Sequence, residues 1–390
     1  MNKAVLVPLT VLGVALVAVL AWGPAEVERR LNRVDAVPLA PAPPLHAELF
    51  VADLHADTLM WQRDFLARGT RGHVDLPRLE NGNVALQVLT TVTRSPHGLN
   101  YERNAADAFD DITLLALVQR WPPRTWHSLA ERALYQAGRL DGFVAREPQR
   151  LLRIRSREDL ERLLARRAAG ERVTGVLLGT EGSHALDGDL GNVVRLHAAG
   201  FRMMSLQHFF DNELGGSLHG TSGAGLSAFG RAALAEMRRL GIVVDLAHSS
   251  PAVVEDVLAA SPQPVILSHT GTWGHCPGPR NIPDELVARI AARGGLIGIG
   301  FWAEAVCDAT PAGIAGAIVA AVALAGEDAV ALGSDFDGSV TTTFDAAALG
   351  VLTGALLERG VAPGVIAKVM GGNVRDFLLR NLPSAAEPAR

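Results

Sequence analysis

An α/β fold closed as a (β/α)8 TIM-type barrel is the architecture this sequence predicts, and three observations predict it. Eight short apolar runs recur from Leu49 to the carboxyl third of the chain. Each is followed by a polar cluster and then a stretch of helical periodicity, the alternation that builds parallel sheets. Polar residues able to hold metal stand at the ends of widely separated runs, and a barrel gathers the ends of all its strands at one face. An open doubly wound sheet is the alternative. It would collect ligands near one switch point, which fits scattered strand ends less well.

The runs, in order, are LFVADLH from Leu49, VALQVLTTV from Val84, TGVLLGTEG from Thr174 and RMMSLQHFF from Arg202. They continue with IVVDLAH from Ile242, PVILSH from Pro264, GLIGIGFW from Gly295 and AVALGSDFDG from Ala329. The clearest unit spans Gly241 to Asn281. Strands over Ile242–Leu246 and Pro264–Leu267 are Val/Ile/Leu-rich without polar alternation, as doubly buried strands are. Between them Ser250-Pro251 reads as an N-cap with proline at the first helical position, and Val253, Val254, Val257 and Leu258 share a helix face. A right-handed crossover sets the two strands side by side and brings His248 and His269 together at their carboxyl ends. Residues 93–173, after the second run, form a helical insertion; within it SREDLERLLARRAAGE opens on a capping pattern, Ser156 with Asp159.

Three segments precede or frame the barrel. Ala4 to Trp22 carries no charge after Lys3 and is long enough to span a bilayer, so residues 1–25 read as a transmembrane anchor or signal. Pro8 and the length favour an uncleaved anchor, with the barrel outside the cytoplasm in the cell envelope. Residues 26–48 are proline-rich and read as a stiff tether, and 49–385 as the barrel. The net charge of −5, without a basic cluster, gives no reason to expect nucleic acid as a partner. Cys276 and Cys307 fall in loops after neighbouring strands; a disulfide is geometrically allowed, and two free thiols are the expected state.

The chemistry sits at the strand ends. His55 and Asp57 stand two apart, so an extended strand points both to one side. Glu181 ends the third run, and its two oxygens could bridge cations held by His55 and Asp57 on one side and His248 and His269 on the other. Two ions sharing a hydroxide are a recognised hydrolytic device. Other readings stay open here: Asp57 as a helix cap, Glu181 as an ion-pair partner, the two histidines as a hydrogen-bonded pair. The only lysines are Lys3 and Lys368, in the apolar run and a late helix, so a carboxylated lysine bridge is excluded and Glu181 remains the candidate. No GxSxG elbow is present to suggest a serine nucleophile.

Taken together, DLHADT, GTEGSHAL, LQHFFDN, VVDLAHSS, VILSHTG, RNIPDELV and GSDFDG resemble the membrane dipeptidase (renal dipeptidase-like) family of binuclear zinc peptidases, over about Leu49 to Asn381. The resemblance implies two zinc ions per chain, one on His55 and Asp57 and one on His248 and His269, bridged by Glu181 and a water or hydroxide. It places His208 at the oxyanion, Arg280 on the substrate carboxylate and Asp335 as the proton shuttle. Asp337 is the competing carboxylate, expected to point the same way and slightly farther out. Dipeptide substrates follow, with tolerance of a D-residue at the carboxyl position, and the resemblance allows a homodimer. An amidase or lactamase acting on another small carboxylated molecule is the alternative.

Overall fold

The structure, a computed structural model, describes residues 22–385. Apart from Trp22, the apolar run from Ala4 lies outside them; among the described residues no helix is long and apolar enough to cross a membrane. Eight parallel strands close into a ring: β1 (Val51–Asp53), β2 (Val84–Val92), β4 (Thr174–Glu181), β5 (Phe201–Ser205), β6 (Val243–Asp245), β7 (Ile266–Thr270), β8 (Leu296–Ile299) and β9 (Val330–Leu332). Closure runs through β1, which pairs with β2 on one side and with β9 on the other. The sheet is therefore a barrel, not an open doubly wound sheet. A further strand, β3 (Leu151–Arg153), pairs with the first residues of β4, Leu151 with Thr174 and Arg153 with Val176.

Burial explains the apolar runs. All nine residues of β2 and all eight of β4 are buried, as a strand with barrel interior on one face and helices on the other requires. Every ring strand contributes to an inner cluster, from Ala52 on β1 to Ala331 on β9, which also takes in Val374 and Phe377 of the last helix, Asn373–Asn381. The interior is thus a packed core. Close approach is enforced at two glycines: a Cβ at Gly298 or Gly333 would lie 2.0 or 1.9 Å from the Ser268 carbonyl oxygen. The helix between β6 and β7, Pro251–Ala260, starts as expected, with the Ser250 side chain accepting from Val253 N at 3.1 Å.

The insertion is mostly helical, with Asp111–Val118, Leu129–Arg146 and Arg157–Ala168, but it also contains β3. Ser156 caps the third of these through Asp159 N, while the Asp159 carboxylate reaches back to Arg155 N at 2.8 Å. The stretch read as a tether lies against the barrel. A helix over 22–31 carries Glu28, buried and ion-paired with Arg63 at 2.8 Å and with Arg71. Val34 bridges to Thr342, and Asn32 Oδ1 accepts from Ser339 N at 2.8 Å, so this segment is bound to the loop after β9. The expectation of two free thiols is corrected: Cys276 and Cys307 form a disulfide that joins the loops after β7 and β8. Those strands are neighbours in the ring, which is what brings the two loops into bonding range.

Candidate metal centre and active site

Five of the expected ligands meet at the carboxyl ends of the strands. His55 follows β1, Glu181 ends β4, His248 follows β6 and His269 lies on β7; all are buried, as is Asp57. One oxygen of Glu181 is approached by three imidazole nitrogens, Nε2 of His55 at 3.4 Å, of His248 at 3.3 Å and of His269 at 3.4 Å. Its other oxygen is 3.4 Å from His208 Nε2. His248 and His269 stand Nε2 to Nε2 at 2.8 Å, the meeting that the strand–helix–strand pattern predicts. Asp57 does not cap with its side chain: no backbone N–H of the 3-10 turn Thr58–Met60 that it precedes donates to its carboxylate. Its Oδ1 accepts from Thr90 Oγ1 at 2.7 Å, and its Oδ2 is buried without a hydrogen-bond partner.

A hydrogen-bonded layer behind the ring nitrogens sets their direction. Ser268 Oγ donates to Asp245 Oδ2 at 2.6 Å, which leaves its lone pairs to face Nδ1 of His55 at 3.0 Å and Nδ1 of His269 at 2.8 Å. Both Nδ1 atoms must then carry a hydrogen, and both rings turn Nε2 toward Glu181. Under β1, Asp53 accepts from Ser334 Oγ at 2.6 Å and from Gln87 Nε2 at 2.9 Å, tying the His55 strand to the loop that carries Asp335.

The electrostatics call for cations. Burial, then the neighbouring Asp57, pushes Glu181 up to about 8. Burial, then Glu181, holds Asp335 well above the ordinary carboxylate range. Burial works against a charge on His55, yet Glu181 and Asp57 keep it protonated, well above the usual imidazole value. Burial keeps His248 and His269 neutral, well below that value. Clustered carboxylates in a dry pocket, with neutral lone pairs facing one another, are neutralised by protons or by metal. The donor set of imidazole nitrogens and carboxylate oxygens suits zinc. Two overlapping groups have the reach, His55, Glu181, His269 and Asp335 in one and Glu181, His208 and His248 in the other, each with donor atoms within 4.8 Å of one another. Lys368 is far from this chemistry, paired with Glu327 at 2.6 Å and Asp328 at 2.7 Å.

The remaining candidates surround this centre. Asp335 Oδ1 is 4.0 Å from His55 Nε2. Asp337 points elsewhere, contrary to expectation: its carboxylate accepts from Thr58 Oγ1 at 2.7 Å and His73 N at 2.6 Å and pairs with Arg63. Strand β9 ends at Leu332, and Asp335 and Asp337 take φ values of 59° and 65°, so the alternation of a strand does not hold there. Arg280 is buried, donates from Nη2 to the His269 carbonyl at 2.7 Å, lies 5.2 Å from the Trp302 ring and leaves Nε without a partner. Among the described residues it has no carboxylate within ion-pair range. His208 Nδ1 lies 3.3 Å from the Arg94 carbonyl, and burial pulls the ring down to about 4.

Two side chains escaped sequence reasoning. Tyr101, from the insertion, accepts from Trp302 Nε1 at 2.9 Å, and its backbone oxygen faces His219 Nδ1 at 2.8 Å. Trp302 closes the run GLIGIGFW, whose aromatic end was the available signal; Tyr101 had none, since it stands in a loop far along the chain from any ligand.

Comparison with known proteins agrees with this geometry. Residues 39–384 match the family model described as membrane dipeptidase (peptidase family M19). The dipeptidase aclJ of Aspergillus oryzae is 29% identical over 364 residues, covering 84% of this chain and 77% of its own length. Among solved structures, the probable dipeptidase PvdM from Pseudomonas aeruginosa shares the fold with a TM-score of 0.70 at 20% identity, over 87% of this chain and 96% of that one. A metallopeptidase from Rhodobacter sphaeroides, liganded with a phosphinate mimic of the dipeptide L-Ala-D-Ala, gives 0.67 at 22% identity, over 86% and 99%. With the family model covering nearly all of the barrel, this chain belongs to the membrane dipeptidase family, peptidase family M19, and is a metallo-dipeptidase.

Proposed function

We propose that the protein hydrolyses dipeptides with two zinc ions, one held by His55 and Asp57, the other by His248 and His269, with Glu181 shared between them. The observation that carries this reading is the convergence of three imidazole Nε2 atoms on one oxygen of Glu181, beside the buried Arg280 guanidinium, which has no carboxylate in ion-pair range among the described residues and whose Nε is unpartnered. Bound there, zinc would acidify water to near neutrality and draw electron density from the peptide carbonyl. The chain's own residues supply the rest. Arg280 receives the terminal carboxylate as a charge-assisted pair, which selects small substrates with a free carboxyl end. Asp335 takes a proton at Oδ1 and delivers it to the leaving amine. His208 acts as donor to the oxyanion; its Nδ1 hydrogen points to Arg94 O, so Nε2 donates only when the ring gains a second proton, which developing negative charge favours. Tyr101 and Trp302 wall the site and exclude water from the Arg280 pair.

The Rhodobacter sphaeroides ligand supports acceptance of a D-residue at the carboxyl position. The Cys276–Cys307 disulfide supports an oxidising compartment, and the apolar run ahead of Trp22 supports membrane anchoring in the cell envelope. The test follows release of amino acid from L,L- and L,D-dipeptides, with and without chelator, alongside metal content. Two zincs per chain and chelator-sensitive cleavage of dipeptides, with tripeptides spared, are expected. Cleavage that survives metal removal would overturn the reading.

A further inference from the structure

One face of the molecule has no role in dipeptide hydrolysis. From Leu114 to its end the helix Asp111–Val118, DITLLALV, carries only apolar residues, on all its sides. It buries Ile112 and Ala116 yet leaves Leu114 50% and Leu117 40% exposed. A helix apolar on all sides belongs in a core or in lipid. Alongside, the helix over 22–31 exposes Val27 and Leu31, with Trp22 at its start 71% exposed and Phe109 nearby in sequence to the first helix at 56%. These six side chains are half of the twelve large hydrophobics exposed among the described residues, so the exposure is concentrated here rather than scattered. Between the two helices runs an apolar groove of about 620 Å³, lined by Val27, Leu31, Met60, Leu99, Leu115 and Val118. Its walls follow the carboxyl ends of β1 and β2, with Ser339 from the loop after β9, so the face borders the catalytic end of the barrel.

What covers this face is indicated by the chain that enters it. Residues 1–21 precede Trp22, and from Ala4 onward they carry no charge. A run of that length and character matches the hydrocarbon thickness of a bilayer, and tryptophan is enriched where such a run meets the interface. A membrane entered at Trp22 lies against the surroundings of Trp22, and those surroundings are the apolar face. We propose that this face is seated in the interfacial region of a lipid bilayer, and that the catalytic mouth therefore opens beside the membrane surface. The proposal rests on the membrane anchoring put forward above; it is independent of the peptidase chemistry.

Both cysteines are engaged in the disulfide, so a single introduced cysteine can be labelled in the full chain. Bimane-labelled Leu114→Cys, Phe109→Cys and, across the ring on the helix between β6 and β7, Ala259→Cys would each be reconstituted in phosphatidylethanolamine–phosphatidylglycerol vesicles. The acyl chains carry bromine. Quenching of the labels at 114 and 109 to half their intensity or less, with the label at 259 unchanged, is expected. Equal quenching by aqueous iodide at all three sites, in vesicles that do carry the protein, would overturn the seat while leaving the anchor standing. A label at 114 shielded from both quenchers, with chain-to-chain crosslinking there, would overturn it in favour of a second copy. Failure of the protein to float with vesicles would remove the anchor and the seat together, and dipeptide cleavage measured in the same sample would show that the catalytic reading is untouched.

Discussion

At Ser268 a single hydroxyl faces three partners, and its hydrogen-bonding capacity decides the protonation of two imidazoles. Donation to Asp245 leaves only lone pairs for His55 and His269, so both rings present Nε2 to the metal centre. Ser268→Ala removes that constraint and should weaken metal binding by about 10- to 100-fold, read by competition with a chromogenic chelator. Arg280→Met should raise KM for dipeptides roughly 10- to 100-fold, the worth of a charge-assisted hydrogen bond, and leave a carboxyl-amidated substrate unaffected. The two residues differ in how readable they were. His55, Asp57, Glu181, His248 and His269 were legible because each punctuates an apolar run. Ser268 sits beside His269 but looks like any strand serine, since its role depends on Asp245 across a strand pair. The disulfide was misread for the same reason: the approach of Cys276 to Cys307 is a property of two loops, and no local pattern encodes it.

At the scale of elements, β7, β8 and β9 are drawn together where glycine replaces a side chain. Gly333→Ala would drive a methyl into the Ser268 carbonyl at 1.9 Å, with the β9 backbone unable to retreat from a closed ring. Destabilisation by about 3 kcal/mol or more is expected, visible as lost soluble expression or a lowered Tm. The same residue begins the loop in which Asp335 and Asp337 diverge. Reading GSDFDG as a continued strand put both carboxylates on one side, whereas left-handed backbone at both positions sends Asp337 to Arg63, Thr58 and His73. The eight ring strands were legible from their two-sided burial. Strand β3 was not, because three residues, one of them arginine, give no periodicity to read.

For the whole molecule, buried and half-buried neutral histidines away from the metal centre tie stability to pH. His46 bonds Thr353 Oγ1 at 2.9 Å and the Gly82 carbonyl at 3.1 Å, and burial holds it below the ordinary imidazole value, the carbonyl bond offsetting this in part. Burial, aided by Arg202, brings His197 down to about 4. Between the folded values and about 6.5 the unfolded chain binds more protons, so stability rises with pH across that window and is lost as pH falls through it. The Tm of the metal-loaded protein should drop from pH 7 to pH 5, and His46→Gln should make the drop shallower. Barrel closure also sets an order of events during biosynthesis. His55 and Asp57 lie on one edge of the seam and Asp335 on the other, joined by bonds such as Ser334 to Asp53 across 281 residues and Asp57 N to the Phe336 carbonyl at 2.9 Å. The amino-terminal candidate ligands, His55 and Asp57, are made first but cannot be held in place until the final strand has been synthesised and docked. Metal acquisition therefore belongs to the finished chain, after its last strand has docked beside the first.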